Sequence, residues 1–138
     1  MARTRAPAAA EPGVSAQLTL RPGKERSLLR RHPWVYANAI ARVDGAPAGG
    51  DTVRVVSADG RFLAWAAYSP ASTIRARAWT FAEAQRVDAR WIEERLAQAI
   101  ARRATLVEGT DAVRLVFGEA DLLPGLVVDR YRDQLVLQ

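Results

Sequence analysis

The 138-residue sequence contains no cysteine, which excludes disulfide bonds, thiolate metal ligands and a cysteine nucleophile. It has only one histidine, His32, so a zinc site built from imidazoles is not expected either. No apolar run approaches the roughly 18 residues of a membrane span, and the opening stretch MARTRAPAAAEPG lacks the apolar core of a secretory signal. We therefore expect a cytoplasmic protein with no metal and no membrane segment.

Motifs of nucleotide binding and of nucleophilic catalysis are also missing. Neither G-x-G-x-x-G nor G-x-x-x-x-G-K-[ST] occurs, and no serine forms a nucleophile motif with the single histidine. The remaining candidates for acid–base chemistry are His32, Glu119, Asp121 and Asp129. The three carboxylates suit a general acid–base pair or a magnesium site, but turn formation and strand capping explain them equally.

Lysine is almost absent, since Lys24 is the only one and arginine supplies the rest of the 20 basic residues. With 15 acidic residues the formal net charge is +5, which favours an anionic partner, nucleic acid first and an acidic membrane surface second. An arginine-rich and alanine-rich composition also follows from GC-rich coding. Because the total charge leaves both explanations open, the positions of the arginines carry more information.

The first part of the chain predicts a tail, a strand and a helix. Residues 1–16 are rich in Ala, Pro and Arg without periodicity, which is typical of a disordered tail. The segment QLTL alternates like a strand, and a Pro-Gly turn then leads into the helical stretch KERSLLRR. Pro33 disfavours helix at the preceding residue, so the helix should end by Arg31. Leu28 and Leu29 should then face a core.

Three strand-like segments follow, DTVRVVS, RFLAWAAYS and STIRARAWT, with an Asp-Gly hairpin signal between the first two. In the third segment, the period of two places Ile74, Ala76 and Ala78 on one face. Arg75, Arg77 and Trp79 occupy the other face, which therefore combines cations with an aromatic ring.

The last part predicts one long helix and a hairpin. VDARWIEERLAQAIARRATL has helical periodicity and a candidate N-cap at Asp88. Its arginines should form a solvated face; they are Arg90, Arg95, Arg102 and Arg103. AVRLVFGEAD and GLVVDRYRDQLVLQ are strand-like and are joined around Leu-Pro-Gly. Because the sequence stops inside an apolar strand, we expect it to be a fragment of a longer protein.

The clearest candidate function is RNA binding. Basic side chains before and after the first helix suit phosphate groups, and exposed aromatic rings suit unpaired bases. The candidate RNA-binding residues are Lys24, Arg26, Arg30, Arg31, His32, Trp34, Arg75 and Arg77. Tyr36 and Trp79 are further candidates for stacking, although Trp34 and Tyr36 equally suit packing beneath the helix. His32 suits a helix-terminal or phosphate contact, or a general base.

Three separated blocks resemble one known family in its own order: LRPGKERSLLRRHPWVYANAI, GDTVRVVSADGRFLAWAAYSPASTIRARAWT and RLVFGEADLLPGLVVDRY. They are similar to the N-terminal half of bacterial class I SAM-dependent 23S rRNA cytosine-C5 methyltransferases. The resemblance implies an α+β fold in which residues 17–81 form a PUA-like mixed β pseudobarrel that binds RNA. Residues 82–138 would be the truncated start of a central α/β domain, with one long helix and a β-hairpin.

The resemblance also implies that the chemistry lies outside these residues. The family attacks cytosine through a cysteine and takes its methyl group from S-adenosylmethionine. A chain without cysteine or a SAM-binding loop should be inactive alone and need no cofactor itself. The missing methyltransferase domain should pack on residues 110–138. Leu122 and Arg132 stand where the family commonly has glycine, so both turns should need relaxed geometry.

Two other interpretations stay open. The chain suits a stand-alone ribosome-assembly or protein-interaction module, in which the aromatic residues anchor a partner and the last strand pairs with it. It also suits a catalytic fragment that uses the three carboxylates near its end.

Overall fold

The computed structural model describes residues 16–106 and 108–138, which form two α-helices, two short 3₁₀ turns and nine strands. The helices are α1 (Arg26–Leu29) and α2 (Ala89–Ala104). The strands are β1 (Ala16–Leu20), β2 (Trp34–Tyr36), β3 (Ile40–Gly45), β4 (Thr52–Val56), β5 (Phe62–Tyr68), β6 (Ile74–Thr80), β7 (Ala112–Phe117), β8 (Val127–Tyr131) and β9 (Gln134–Leu137). The tail predicted over 1–16 lies outside the described residues except for Ala16, with which β1 begins.

Strands β1 to β6 form one curled sheet in the order β2-β6-β5-β4-β1-β3. The β1–β4 pair is parallel and the other neighbouring pairs are antiparallel. Its concave side encloses a core whose fully buried members include Leu18, Leu20, Val53 and Val55. Leu28 from α1 is 2% exposed and closes one end of this core. The predicted α+β class is confirmed, with this curled half-barrel as its larger part.

Strands β7, β8 and β9 form a second, antiparallel sheet, and α2 packs on it. The predicted N-cap is confirmed, because the Asp88 carboxylate accepts a hydrogen bond from the Trp91 backbone N–H at 3.0 Å. Trp91, Ala99 and Val116 meet in the core between helix and sheet. The segment expected to be one strand after Leu-Pro-Gly forms both β8 and β9.

Two aromatic rings join the cores of the two sheets. Trp79 at the end of β6 and Trp91 at the start of α2 meet edge to face, with ring centroids 5.9 Å apart. Trp79 therefore packs against the second core, although the alternation along β6 made it a candidate for base stacking. A further link is the Trp65 indole, whose N–H donates to the Glu83 carbonyl at 3.0 Å.

Helix α1 is shorter than predicted and buries only one of its leucines. Leu28 is buried, but Leu29 is 53% exposed, so its predicted place in the core is wrong. The helix has four residues, barely one turn, and one turn presents only a narrow stripe to the core. Its end is a Schellman motif, in which Arg31 N–H donates to the Leu28 carbonyl and His32 N–H to the Ser27 carbonyl.

Both residues that the resemblance places at glycine positions have a backbone conformation that favours glycine. Leu122 has a φ of 59° and Arg132 a φ of 57°, both left-handed. A Cβ atom makes this conformation unfavourable by about 1–2 kcal/mol.

We expect Leu122→Gly to raise the free energy of unfolding by about 0.5–1 kcal/mol, because glycine removes the Cβ strain but gains flexibility when unfolded. Leu122 is 38% exposed, so little burial is lost. Urea denaturation followed by circular dichroism measures this. Leu122→Ala is the control, since alanine keeps the Cβ atom; stabilisation by both variants would contradict a backbone origin.

Among the helices of the described residues, none is both long and apolar enough to cross a membrane.

Candidate nucleic-acid interface

The first element of the candidate interface is the cationic helix α1. The Pro22-Gly23 turn leads into it, and Gly23 has a φ of 79°, which favours glycine there. Leu28 fixes the helix to the core, whereas Lys24, Arg26 and Arg30, which lie in and beside the helix, are all exposed. Within residues 16–106 and 108–138 these three side chains make no ion pair or hydrogen bond. Their charges are therefore available to an anion.

The second element is a row of rings on β2, an edge strand of the half-barrel. His32, Trp34 and Tyr36 alternate with inward-facing residues, so their rings lie on one side. His32 and Trp34 meet edge to face at 5.4 Å, and Trp34 and Tyr36 at 6.4 Å. Tyr36 is 46% exposed. Trp34 is half-buried, which is compatible with both roles that the sequence left open, packing beneath the helix and stacking on a base.

His32 belongs to this row through a local contact. Its Nδ1 accepts a hydrogen bond from the Trp34 backbone N–H at 3.3 Å, while its own backbone N–H closes α1. The ring thus lies at the helix end with the Nδ1 lone pair engaged. This arrangement fits the helix-terminal contact better than a general base, which needs a free lone pair near a reacting group.

A cleft of about 150 Å³ separates α1 from β2. Leu28 and Val35 line its apolar part, and Trp34 and Tyr36 line its side. Its polar groups come from Lys24, Ser27 and Asn38. A cavity of about this volume accepts one six-membered aromatic ring. The α1–β2 surface is our name for three features together. They are the cleft, the three cations in and beside α1 (Lys24, Arg26 and Arg30), and the row of rings in and before β2 (His32, Trp34 and Tyr36).

The other three predicted arginines, Arg31, Arg75 and Arg77, each have a different contact. The guanidinium of Arg31 lies over the Phe81 ring at 5.0 Å from its centroid. Arg75 donates to the Pro70 carbonyl in the loop between β5 and β6. Arg77 joins the α1–β2 surface, because it is the cross-strand partner of Trp34.

Arg77 does not stand there as a free cation. Its Nε lies 3.5 Å from Glu119 Oε1, and the same oxygen accepts a hydrogen bond from Trp34 Nε1 at 3.0 Å. Glu119 comes from the 3₁₀ turn Gly118–Asp121, which follows β7 in the second sheet. This contact spans 85 residues of sequence.

The other two candidate carboxylates hold the second sheet together. Asp121 is 3% exposed and receives hydrogen bonds from Arg102, Arg103 and the Phe117 backbone N–H. Burial raises the pKa of Asp121, but the hydrogen bonds and the two arginine charges outweigh it, so the pKa lies below its ordinary value of 3.8. The expectation of a fully solvated arginine face on α2 is therefore wrong for Arg103, whose side chain is 19% exposed.

Asp129 binds Arg114 through two parallel hydrogen bonds of 2.8 and 2.9 Å. The hydrogen bond from Arg114 lowers the pKa of Asp129, and the same contact raises the pKa of Arg114. Each of the three carboxylates is thus occupied by its own basic or N–H partner. Over the described ranges, no group of three or more His, Asp or Glu side chains could hold a metal ion.

Two members of the surface were not among the predicted site residues. Asn38 and Ser27 line the cleft, but neither belongs to a motif, and only the packing of β2 against α1 brings them together. An asparagine two residues after a tyrosine is a weak sequence signal for base recognition. Only the fold shows that the two side chains line the same cleft.

A family model described as a PUA-like domain matches residues 18–81. Over these residues the half-barrel is similar to a PUA-like domain. It ends at Phe81, the residue that packs against Arg31, and its edge strand β2 carries the ring row.

The chain is 48% identical over 127 residues to a protein of Citrobacter koseri named ribosomal RNA large subunit methyltransferase I. It is 47% identical over 127 residues to the protein of the same name from Escherichia coli strain K12. Each match covers 91% of this chain and 32% of the relative. The chain is homologous to these methyltransferases and spans about a third of their length.

Two solved structures share the fold. One, "A putative sam-dependent methyltransferase from Streptococcus mutans", matches with a TM-score of 0.73 at 16% identity, over 88% of this chain and 32% of that chain. The other, of a protein complexed with SAH, has a TM-score of 0.74 at 16% identity, over 88% of this chain and 31% of that chain. The 88% of this chain that each structure matches is a longer stretch than residues 18–81. Both structures therefore also contain a counterpart of part of residues 82–138.

Proposed function

We propose that the chain binds unpaired rRNA through the α1–β2 surface and positions it for methylation by a SAM-dependent cytosine-C5 methyltransferase domain. The observation that carries the proposal is the cleft between α1 and β2, in which Lys24 lies beside the rings of Trp34 and Tyr36, while Arg26 and Arg30 are exposed on the same short segment. Cations bind phosphates without regard to sequence, whereas a ring-sized cleft with polar groups can receive a single base.

The methyltransferase part of the proposal rests on homology and assigns the chemistry to a domain outside these residues. The relatives are named for rRNA methylation, and one structure of the same fold holds SAH. The residues needed for covalent attack on cytosine cannot come from this chain, which has no cysteine. Its proposed part in the reaction is to hold RNA in place, since correct placement of a reactant lowers the barrier of the later chemical step.

We further propose that the methyltransferase domain packs on residues 110–138. The support is the apolar character of β9, where Leu135 is 58% exposed and Leu137 is 66% exposed. Its neighbour Tyr131 is 53% exposed. Exposed apolar side chains on an edge strand favour coverage by another part of a protein. Because its proposed substrate is rRNA, we place the protein in the cytoplasm.

Removal of the exposed ring at Tyr36 tests the base-binding role. Tyr36→Ala should weaken binding of a single-stranded rRNA oligonucleotide about tenfold, because stacking on an aromatic side chain contributes about 1–3 kcal/mol per base. Fluorescence anisotropy with labelled RNA measures the affinity. A blunt duplex of the same sequence should bind more weakly to the wild type, since its bases stay stacked.

Tyr131→Ala is the matched control, because Tyr131 is exposed to a similar degree but lies on the second sheet. It should leave the RNA affinity unchanged. Equal losses in the two variants, or none in Tyr36→Ala, would contradict base stacking on β2.

A further inference from the structure

The α1–β2 surface is completed by a side chain from the second sheet. Glu119 Oε1 lies 3.0 Å from Trp34 Nε1 on β2 and 3.5 Å from Arg77 Nε on β6. Neither contact belongs to the PUA-like domain itself, which ends at residue 81. The carboxylate therefore acts on the half-barrel from outside it.

The turn that carries Glu119 is held on both sides. The Gly118 N–H donates to the Leu126 carbonyl at 2.8 Å, and the Leu123 N–H donates to the Gly118 carbonyl at 3.0 Å. Asp121 accepts from the Phe117 N–H at 2.7 Å and anchors the turn to α2 through Arg103. A turn fixed in this way holds the Glu119 side chain at one place relative to β2.

The contact controls the orientation of Trp34. An indole has a single hydrogen-bond donor and no acceptor, so the acceptor given to Nε1 fixes the rotation of the ring. A carboxylate is a strong acceptor because its charge assists the bond. Trp34 is the middle ring of the row, with edge-to-face contacts to His32 and Tyr36. Its orientation therefore affects both outer rings and the side of the cleft.

We propose that Glu119 is a positioning residue for RNA recognition: it holds the Trp34 indole in the orientation that a base can stack on. The RNA-binding surface is then composite, with the PUA-like domain supplying the rings and cations and residues 82–138 supplying the acceptor that orders them. This inference rests on the proposed RNA binding and assigns part of it to a segment outside the domain.

The geometry separates two effects of Glu119 that act in opposite directions. As the acceptor of the Trp34 N–H it favours binding, but its charge opposes phosphate and neutralises Arg77. Glu119→Gln keeps a carbonyl oxygen for the indole and removes the charge. Glu119→Ala removes both. The difference between the two variants therefore reports the positioning effect alone.

The experiment measures single-stranded rRNA affinity of the full chain by fluorescence anisotropy over a salt series. We expect Glu119→Ala to bind about fivefold more weakly than Glu119→Gln, the effect of one hydrogen bond to a neutral carbonyl oxygen. Glu119→Gln should bind at least as tightly as wild type. The salt slope should be steeper by about 0.7, because Arg77 is no longer neutralised by Glu119 and can pair with one more phosphate. Equal affinities of the two variants would overturn the inference.

Trp34→Phe supplies the matched background, since phenylalanine keeps a ring but has no N–H to donate. In that background Glu119→Ala and Glu119→Gln should bind RNA equally. A persisting difference would show a role independent of the indole and would also overturn the inference. If wild type binds RNA but the variants follow neither pattern, only this inference fails; absence of RNA binding by wild type contradicts the proposed function instead.

Discussion

Replacement of Asp121 by alanine is expected to lower the free energy of unfolding by about 3 kcal/mol. The Asp121 carboxylate is 2% exposed and binds Arg102, Arg103 and the Phe117 N–H. Loss of one partner from a buried ion pair costs about 3–5 kcal/mol. The lower end applies because Arg102 is 55% exposed and can turn toward solvent. Urea denaturation followed by circular dichroism and tryptophan fluorescence measures the change.

Asp111→Ala is the control, because it removes an ion pair of similar length at the surface. Asp111 lies 3.0 Å from Arg132, with side chains 64% and 83% exposed. Such a pair contributes about 0–1 kcal/mol. Equal destabilisation by the two variants would contradict the assignment of Asp121 as the anchor of the turn.

The ion pair of Asp121 also makes the free energy of unfolding depend on pH in the acidic range. The folded-state pKa of Asp121 is lowered from 3.8, so its stabilising effect is fully present above that pH and is lost as the pH falls through the folded-state pKa. Wild type should therefore lose stability below about pH 4, and Asp121→Ala should lose less of it over the same range. Parallel pH profiles of the two proteins would contradict this contribution.

Removal of the three α1 cations should have the largest effect on RNA affinity. The triple variant Lys24→Gln, Arg26→Gln and Arg30→Gln keeps polar side chains of similar length. If each cation neutralises one phosphate, the counterion effect predicts binding of single-stranded RNA weaker by on the order of 50-fold near 0.15 M salt. The salt slope should also become shallower by about 2. Anisotropy titration with the labelled rRNA oligonucleotide measures both.

A second triple variant controls for total charge. Arg61, Arg90 and Arg130 are exposed and lie on the β4–β5 turn, α2 and β8. Their replacement by glutamine lowers the net charge of +5 by the same amount. This variant should keep most of the affinity; a loss equal to that of the α1 variant would indicate binding governed by overall charge.

Local signals in the sequence predicted most of the fold. The capping aspartate and the apolar period of α2, and the alternation along β6, depend on neighbours within a few residues. The glycine positions implied by the resemblance agree with the positive φ of Leu122 and Arg132. The end of α1 was harder to predict from the sequence, because its Schellman motif has an arginine, Arg31, at the position where glycine is usual.

The candidate site was predictable where it is continuous in sequence and not elsewhere. The cations of α1 and the rings of β2 lie within thirteen positions, from Lys24 to Tyr36, and their spacing indicated a shared surface. Asn38 enters the cleft only because β2 packs beside α1. Glu119 reaches Trp34 across 85 residues, a contact that depends on how the second sheet meets the first.

The affinity of wild type for unpaired rRNA, measured across a salt series from about 50 to 300 mM, tests the central claim most directly. At least three phosphate contacts predict a linear fall of log affinity with log salt concentration, with a slope near −2 or steeper. Single-stranded RNA should also bind more tightly than the matching duplex. No binding, or an affinity that does not change with salt, would contradict an RNA-binding surface at α1 and β2.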